Sequence, residues 1–218
     1  MLVCVRQWQK IFCAISASAS SAVNVLLFRL RRFRVITAIP PDLPYTPSVP
    51  DARYSHPLTA LMAGFLASIG LETAPATITE PQFLPGLMLH HGRILIDESQ
   101  LTWPGDLLHE AGHLAVIPAA RRSLLHQNAG ADPGEEMAAI AWSYAAALHL
   151  GIDPAVVFHA GGYRGGSQSI LQNFSQRRYF GVPMLEYLGL AAPAAEAAAL
   201  GVPPYPHMLK WVVENSSG

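Results

Sequence analysis

The stretch GDLLHEAGHLAV, residues 105–116, sets two histidines four residues apart with a glutamate beside the first. A run this apolar reads as a helix, and a helix places residues i and i+4 on one face, about one turn apart. His109 and His113 then point their imidazoles the same way, so both can reach one tetrahedral ion, with Glu110 placed to contact a water in the open position. Zinc brings such a water close to ionisation at neutral pH, and a glutamate can take its proton as it attacks a carbonyl. With nine histidines in 218 residues, chance alone yields an HExxH in roughly one to two per cent of such chains.

The flanking residues agree with a helix. Thr102 or Trp103 can cap it, Pro104 suits its first position, Asp106 falls in its first turn, and Pro118 stops it. Leu107, Leu108, Ala111, Leu114 and Ala115 supply the buried stripe. Just upstream, Gly92-Arg93-Ile94-Leu95-Ile96-Asp97 reads as a strand, whose edge is expected to align an extended peptide across the metal. Further upstream, residues 56–69 show helical periodicity that stops at Gly70.

A catalytic zinc site needs a third protein ligand. The extended zincin pattern places a further histidine six residues on, but Val116 and Ala119 occupy the positions that pattern uses. Any metal in the body must rely on histidine and carboxylate, because both cysteines, Cys4 and Cys13, lie near the start. Asp132-Pro133-Gly134-Glu135-Glu136 opens the next helix, which runs to Leu150. Glu135 occupies the capping-box partner position of Asp132, leaving Glu136 free to face the metal, yet either glutamate remains a candidate.

HEAGH followed some twenty residues later by EEMAAIAWSYAAALHL resembles the minimal metallopeptidase core of the ImmA/IrrE kind, a gluzincin-type zincin. The resemblance spans roughly residues 90–150. It implies an upstream strand, the HExxH helix, and a glutamate on the following alanine-rich helix that completes a zinc site. Ala139 stands where that family commonly has Asn or Asp, and the helix-turn-helix region that often accompanies the family is lacking.

Other candidates are softer. Tyr144 lies two turns beyond Glu136, either in the core or close enough to contact substrate. His159, in VVFHAGGYRGGS with Tyr163 and Arg164 nearby, can stabilise the oxyanion of a tetrahedral intermediate, in a glycine-rich loop that is mobile or closely packed. Asp97 and Glu98 support a zinc-bound histidine or are turn residues. His90, His91, His126, His149 and His207 read as surface or incidental.

The expected architecture is a small α+β zincin-like domain, mainly helical with a short sheet, with zinc (Zn2+) between the HExxH helix and the next. It spans residues 54–218, after an N-terminal extension and a proline-rich linker over residues 1–53 that is disordered or a targeting segment. The expected activity is hydrolysis of peptide or protein substrates with Glu110 as general base. The alternative is a non-catalytic metal-binding or regulatory module. A net charge of -1 argues against nucleic-acid binding. A cytoplasmic location is expected, unless residues 1–28 act as an export signal or residues 11–28 as a membrane anchor.

Overall fold

The computed structural model describes residues 49–127, 129 and 132–214. Most of the expected extension, including residues 11–28, therefore lies outside the described residues. Residues 49–53 already belong to the folded body: Asp51 N donates to Ala60 O at 2.8 Å, and the backbone at Val49 lies against Gly64.

The class is α+β. Helix α1 (Pro57–Ser68) leads into strand β1 (Thr73–Pro75), then β2 (Leu87–His90) and β3 (Arg93–Ile96). Among the described residues seven further α-helices follow: α2 (Asp106–Ala115), α3 (Ala119–Arg122), α4 (Pro133–His149), α5 (Pro154–Val157), α6 (Ser167–Ser175), α7 (Val182–Tyr187) and α8 (Ala197–Leu200). Among the described residues no helix is long and apolar enough to cross a membrane.

The three strands form a mixed sheet in the order β1-β3-β2, with β1 parallel and β2 antiparallel to β3. This corrects one expectation. The strand in GRILID is central, and β1 and β2 occupy both of its ladders, so it has no edge left to align a peptide. The outer edges belong to β1 and β2, and at Leu89 and His90 the edge of β2 takes residues 126–127: Gln127 N donates to Leu89 O at 2.8 Å.

The HExxH helix also starts later than its flanks predict. It begins at Asp106 after a turn at Pro104-Gly105, with Asp106, Leu107 and Leu108 donating to carbonyls three residues back and Gly105 preceding it without a side-chain cap. On α4 the Asp132 carboxylate does cap, accepting from Gly134 N and Glu135 N. The reciprocal half of the capping box is missing, because the Glu135 carboxylate turns outward to the Arg121 guanidinium.

The core lies where α2 crosses α4. All of α4 from Ala138 to Ala147 is buried, as befits a helix that is apolar all round and sits centrally. Trp142 fills the space toward α1, packing on Phe65 and donating from Nε1 to Trp211 O at 2.8 Å. The chain end runs back over these helices, Tyr205 Oη donating to Ala141 O and Val213 N to Ala115 O. The alanines of α4 let α2 approach closely, and the approach is tightest at Gly112, where a Cβ would lie 2.8 Å from Ala139 O and 3.1 Å from Ala139 Cα.

Replacing a helix-interior glycine by alanine usually stabilises by about 0.5–1 kcal/mol. At Gly112 the added methyl meets backbone that cannot yield without separating the helices, a cost of about 1–3 kcal/mol that reverses the sign. Gly112→Ala is expected to lower the thermal unfolding midpoint by several degrees, measured by calorimetry; an unchanged or raised midpoint would contradict this packing.

Candidate metal centre

Gly112 and Ala139 fix where their neighbours one turn back must meet. His109 precedes Gly112 by three residues, and Glu136 precedes Ala139 by three, so the close crossing brings their side chains together. His113 Nε2 lies 3.3 Å from His109 Nε2. The Glu136 carboxylate bridges the pair, with Oε1 3.4 Å from His109 Nε2 and Oε2 3.1 Å from His113 Nε2. Two ligands bonded at 2.0–2.1 Å to one tetrahedral ion stand about 3.3 Å apart. The nitrogen–nitrogen separation is of that length, and each imidazole nitrogen stands near it from a different oxygen of Glu136.

Glu110 shares the site from another direction. Its carboxylate lies with the two imidazoles in a group whose ligand atoms are within 4.8 Å of one another. It is also the only residue of α2 that is not buried. Of the four residues, the two glutamates are partly exposed and the two histidines buried. These residues are positioned to hold a metal ion. Glu136 Oε1, buried and without a hydrogen-bond donor, fits a cation between the imidazoles. His109 Nδ1 is buried without a partner too, so packing against His113 and Tyr163 sets that ring's orientation.

The electrostatics separate the two glutamates. Burial pushes Glu110 up to about 7, and the charges of Glu136 and Asp106 add to it against the pull of His113. Glu136 is largely enclosed too, and that partial burial raises its carboxyl, but the two histidines outweigh it and hold the group below the ordinary value. Burial lowers His109 to about 4 and so keeps it neutral, the form that binds metals. For His113 burial acts downward, but the hydrogen bond and charge of Glu136 hold it above its ordinary value.

The glutamate pair thus divides: Glu136 meets the histidines, whereas Glu135 pairs with Arg121 on the surface. Tyr144 takes the core alternative. Its ring packs among Phe158, Phe174 and Tyr179, and burial pushes its phenol up to about 12. His159 is buried against Asp106, with Nε2 2.9 Å from Oδ1, and stacks on Trp103 at 4.3 Å. Asp106, expected only as a first-turn acid, is thus the buried partner of His159. Gly161 and Gly162 sit where a Cβ would press on Trp103 and His159, so this glycine-rich loop is closely packed.

Tyr163 was visible in the sequence only as a neighbour of His159. Its ring meets His109 edge-on at 5.4 Å, and burial, with the charges of Asp106, Glu136 and Glu110 adding to it, holds its phenol well above the ordinary value. The one sequence signal is the flanking glycines, and the backbone explains them: Tyr163, Arg164 and Gly165 are consecutive residues with positive φ. Asp97 and Glu98 take the turn reading. Asp97 accepts from Ile78 N, Ser99 and Gln100, which hold it near 2, and Glu98 accepts from Ser55 and His56 at the start of α1.

No family model matches the chain, and no curated protein or solved structure matches it.

In the metal-free protein the raised carboxyl of Glu110 favours the folded state below its ordinary value of 4.5, and that contribution is lost as pH rises through about 7. Glu110→Gln removes the buried charge. The metal-free variant should be more stable than the parent at pH 8 by something on the order of 2 kcal/mol. The gap should close by about pH 5. Thermal midpoints recorded in chelator across this range check the sign, and parallel pH curves for the two proteins would refute it.

Proposed function

We propose that the protein is a zinc-dependent metallopeptidase of the gluzincin type, with a zincin-like arrangement of the α2–α4 pair. The observation that carries this reading is the convergence of His109 Nε2 and His113 Nε2, 3.3 Å apart, with the Glu136 carboxylate, whose Oε1 and Oε2 lie 3.4 and 3.1 Å from them respectively, close to the spacing of ligands around one tetrahedral ion. Three protein ligands of the His, His, Glu type leave a coordination position open, the arrangement of catalytic rather than structural zinc. When bound, zinc supplies Lewis acidity, activating water and polarising a carbonyl at neutral pH.

The remaining roles fall to this chain's side chains. Glu110, held up to about 7 by burial yet still partly exposed, accepts a proton from the attacking water and returns it to the leaving amine. Tyr163 keeps its proton at any physiological pH and lies against His109, so its hydroxyl serves as a hydrogen-bond donor to the developing oxyanion. His159, held by Asp106, orients the first turn of the HExxH helix and the loop that delivers Tyr163. The substrate class is peptide bonds or closely related amides.

A non-catalytic binding module calls for a sealed metal centre. The partial exposure of Glu110 and Glu136 beside the buried imidazoles supports turnover instead.

Purified full-length protein should contain zinc and cleave peptide substrates. Glu110→Gln should keep its zinc and lose at least about 100-fold in kcat. Glu136→Ala should lose both zinc and activity, and Glu135→Ala neither. Metal analysis beside a peptidase assay reads all of these. Full activity in Glu110→Gln, or zinc lost from Glu135→Ala and kept in Glu136→Ala, would overturn the assignment.

A further inference from the structure

Away from the HExxH helix, a second group of histidines gathers at one end of the sheet. Strand β2 ends at His90, and His91-Gly92 makes the two-residue turn into β3, with φ of 49° and 84°. Such a turn needs positive φ at both central positions and is best made by Asn-Gly. Histidine occupies the place where asparagine would make the better turn. The third histidine comes from far along the chain: His126 pairs with His90 as an isolated bridge on the outer edge of β2.

The rings converge. His90 and His91 have centroids 4.7 Å apart, and His126 lies 5.2 Å from each, nearly parallel to His91. One ligand nitrogen from each lies within 4.8 Å of the other two. Closing such a group onto a single ion takes shifts of up to about 1.5 Å, within reach of χ rotation for exposed side chains. His91 and His126 are exposed, whereas His90 is half-buried and its Nδ1 is enclosed without a hydrogen-bond partner. An enclosed ring nitrogen beside two solvent-facing imidazoles is a polar atom left without satisfaction by the protein alone.

We propose that His90, His91 and His126 form a second metal site, a solvent-open tri-imidazole site for a borderline divalent transition cation such as Zn2+, Ni2+ or Cu2+. Three neutral imidazoles suit these ions over the oxygen-seeking Mg2+ and Ca2+, and Cu2+ should bind tightest. An ion there joins the β2–β3 turn to the segment between α3 and α4, the helix whose first turn carries Glu135 and Glu136. It stands on residues separate from those around His109.

The test uses the full chain without an added histidine tag, stripped with chelator and then dialysed against Zn2+. Bound metal is counted in four forms: the parent, His91→Asn/His126→Ala, His113→Ala, and the three substitutions together. Asparagine suits the turn at 91 and both altered side chains are exposed, so the double variant should unfold in chelator at the parent's temperature. The expected counts are two, one, one and none. Cu2+ loaded into His113→Ala should show nitrogen hyperfine structure by electron paramagnetic resonance, and the two triad substitutions should abolish it. A count of one in the parent that His91→Asn/His126→Ala leaves unchanged would overturn the second site. So would two ions unaffected by those substitutions, or Cu2+ without imidazole nitrogen coupling.

Discussion

The contact between Gly112 and Ala139 is the constraint on which the rest of the structure depends. Any side chain at 112 would strike the backbone of α4, and an α4 less rich in alanine would hold α2 away. Because the two helices touch backbone to backbone, the residues one turn earlier, His109 and Glu136, reach each other. His113 completes the triangle from the adjacent turn. The remainder of the fold braces this crossing: Trp142 and Phe65 fill the far side, and the chain end closes over it through Tyr205, Trp211 and Val213. Ala139 stands where the resembled family commonly carries Asn or Asp, and here its place is against the glycine.

The same crossing sorts the charges. Two glutamates flank one pair of imidazoles, and their surroundings drive them in opposite directions. Glu136 is held down by the histidines it faces, as the proposed ligand role requires, and Glu110 is lifted to about 7 by burial and the neighbouring carboxylates. Such a separation of proton affinities is what the proposed division into a fixed negative ligand and a general base calls for. Asp106 and Tyr163 extend the pattern. The acid is spent on His159, and the phenol stays protonated beside His109.

Much of this was legible in the sequence where the signal was local. The helix over the HExxH residues, the strand over residues 93–96 and the Asp132 cap follow from period, turn residues and capping chemistry that neighbours in sequence decide. Glu136 could be favoured over Glu135 only by supposing that a capping box occupied Glu135. The structure frees Glu136 for another reason, the surface pair of Glu135 with Arg121. What depended on distant pairing was not legible. No residue in GRILID announces that both its ladders are filled, and nothing near Tyr144 says that Phe158, Phe174 and Tyr179 will enclose it. Asp106 meeting His159, and His126 meeting His90 and His91, are contacts across long stretches of chain, set by tertiary packing alone.

The most direct test of the central claim is an anomalous difference map recorded at the zinc absorption edge from crystals of the zinc-loaded protein. The account predicts a peak between α2 and α4, about 2.0–2.2 Å from His109 Nε2, His113 Nε2 and one oxygen of Glu136, with Glu110 close but not bonded. A peak ligated by Glu110 in place of Glu136, or none between these helices, would contradict it.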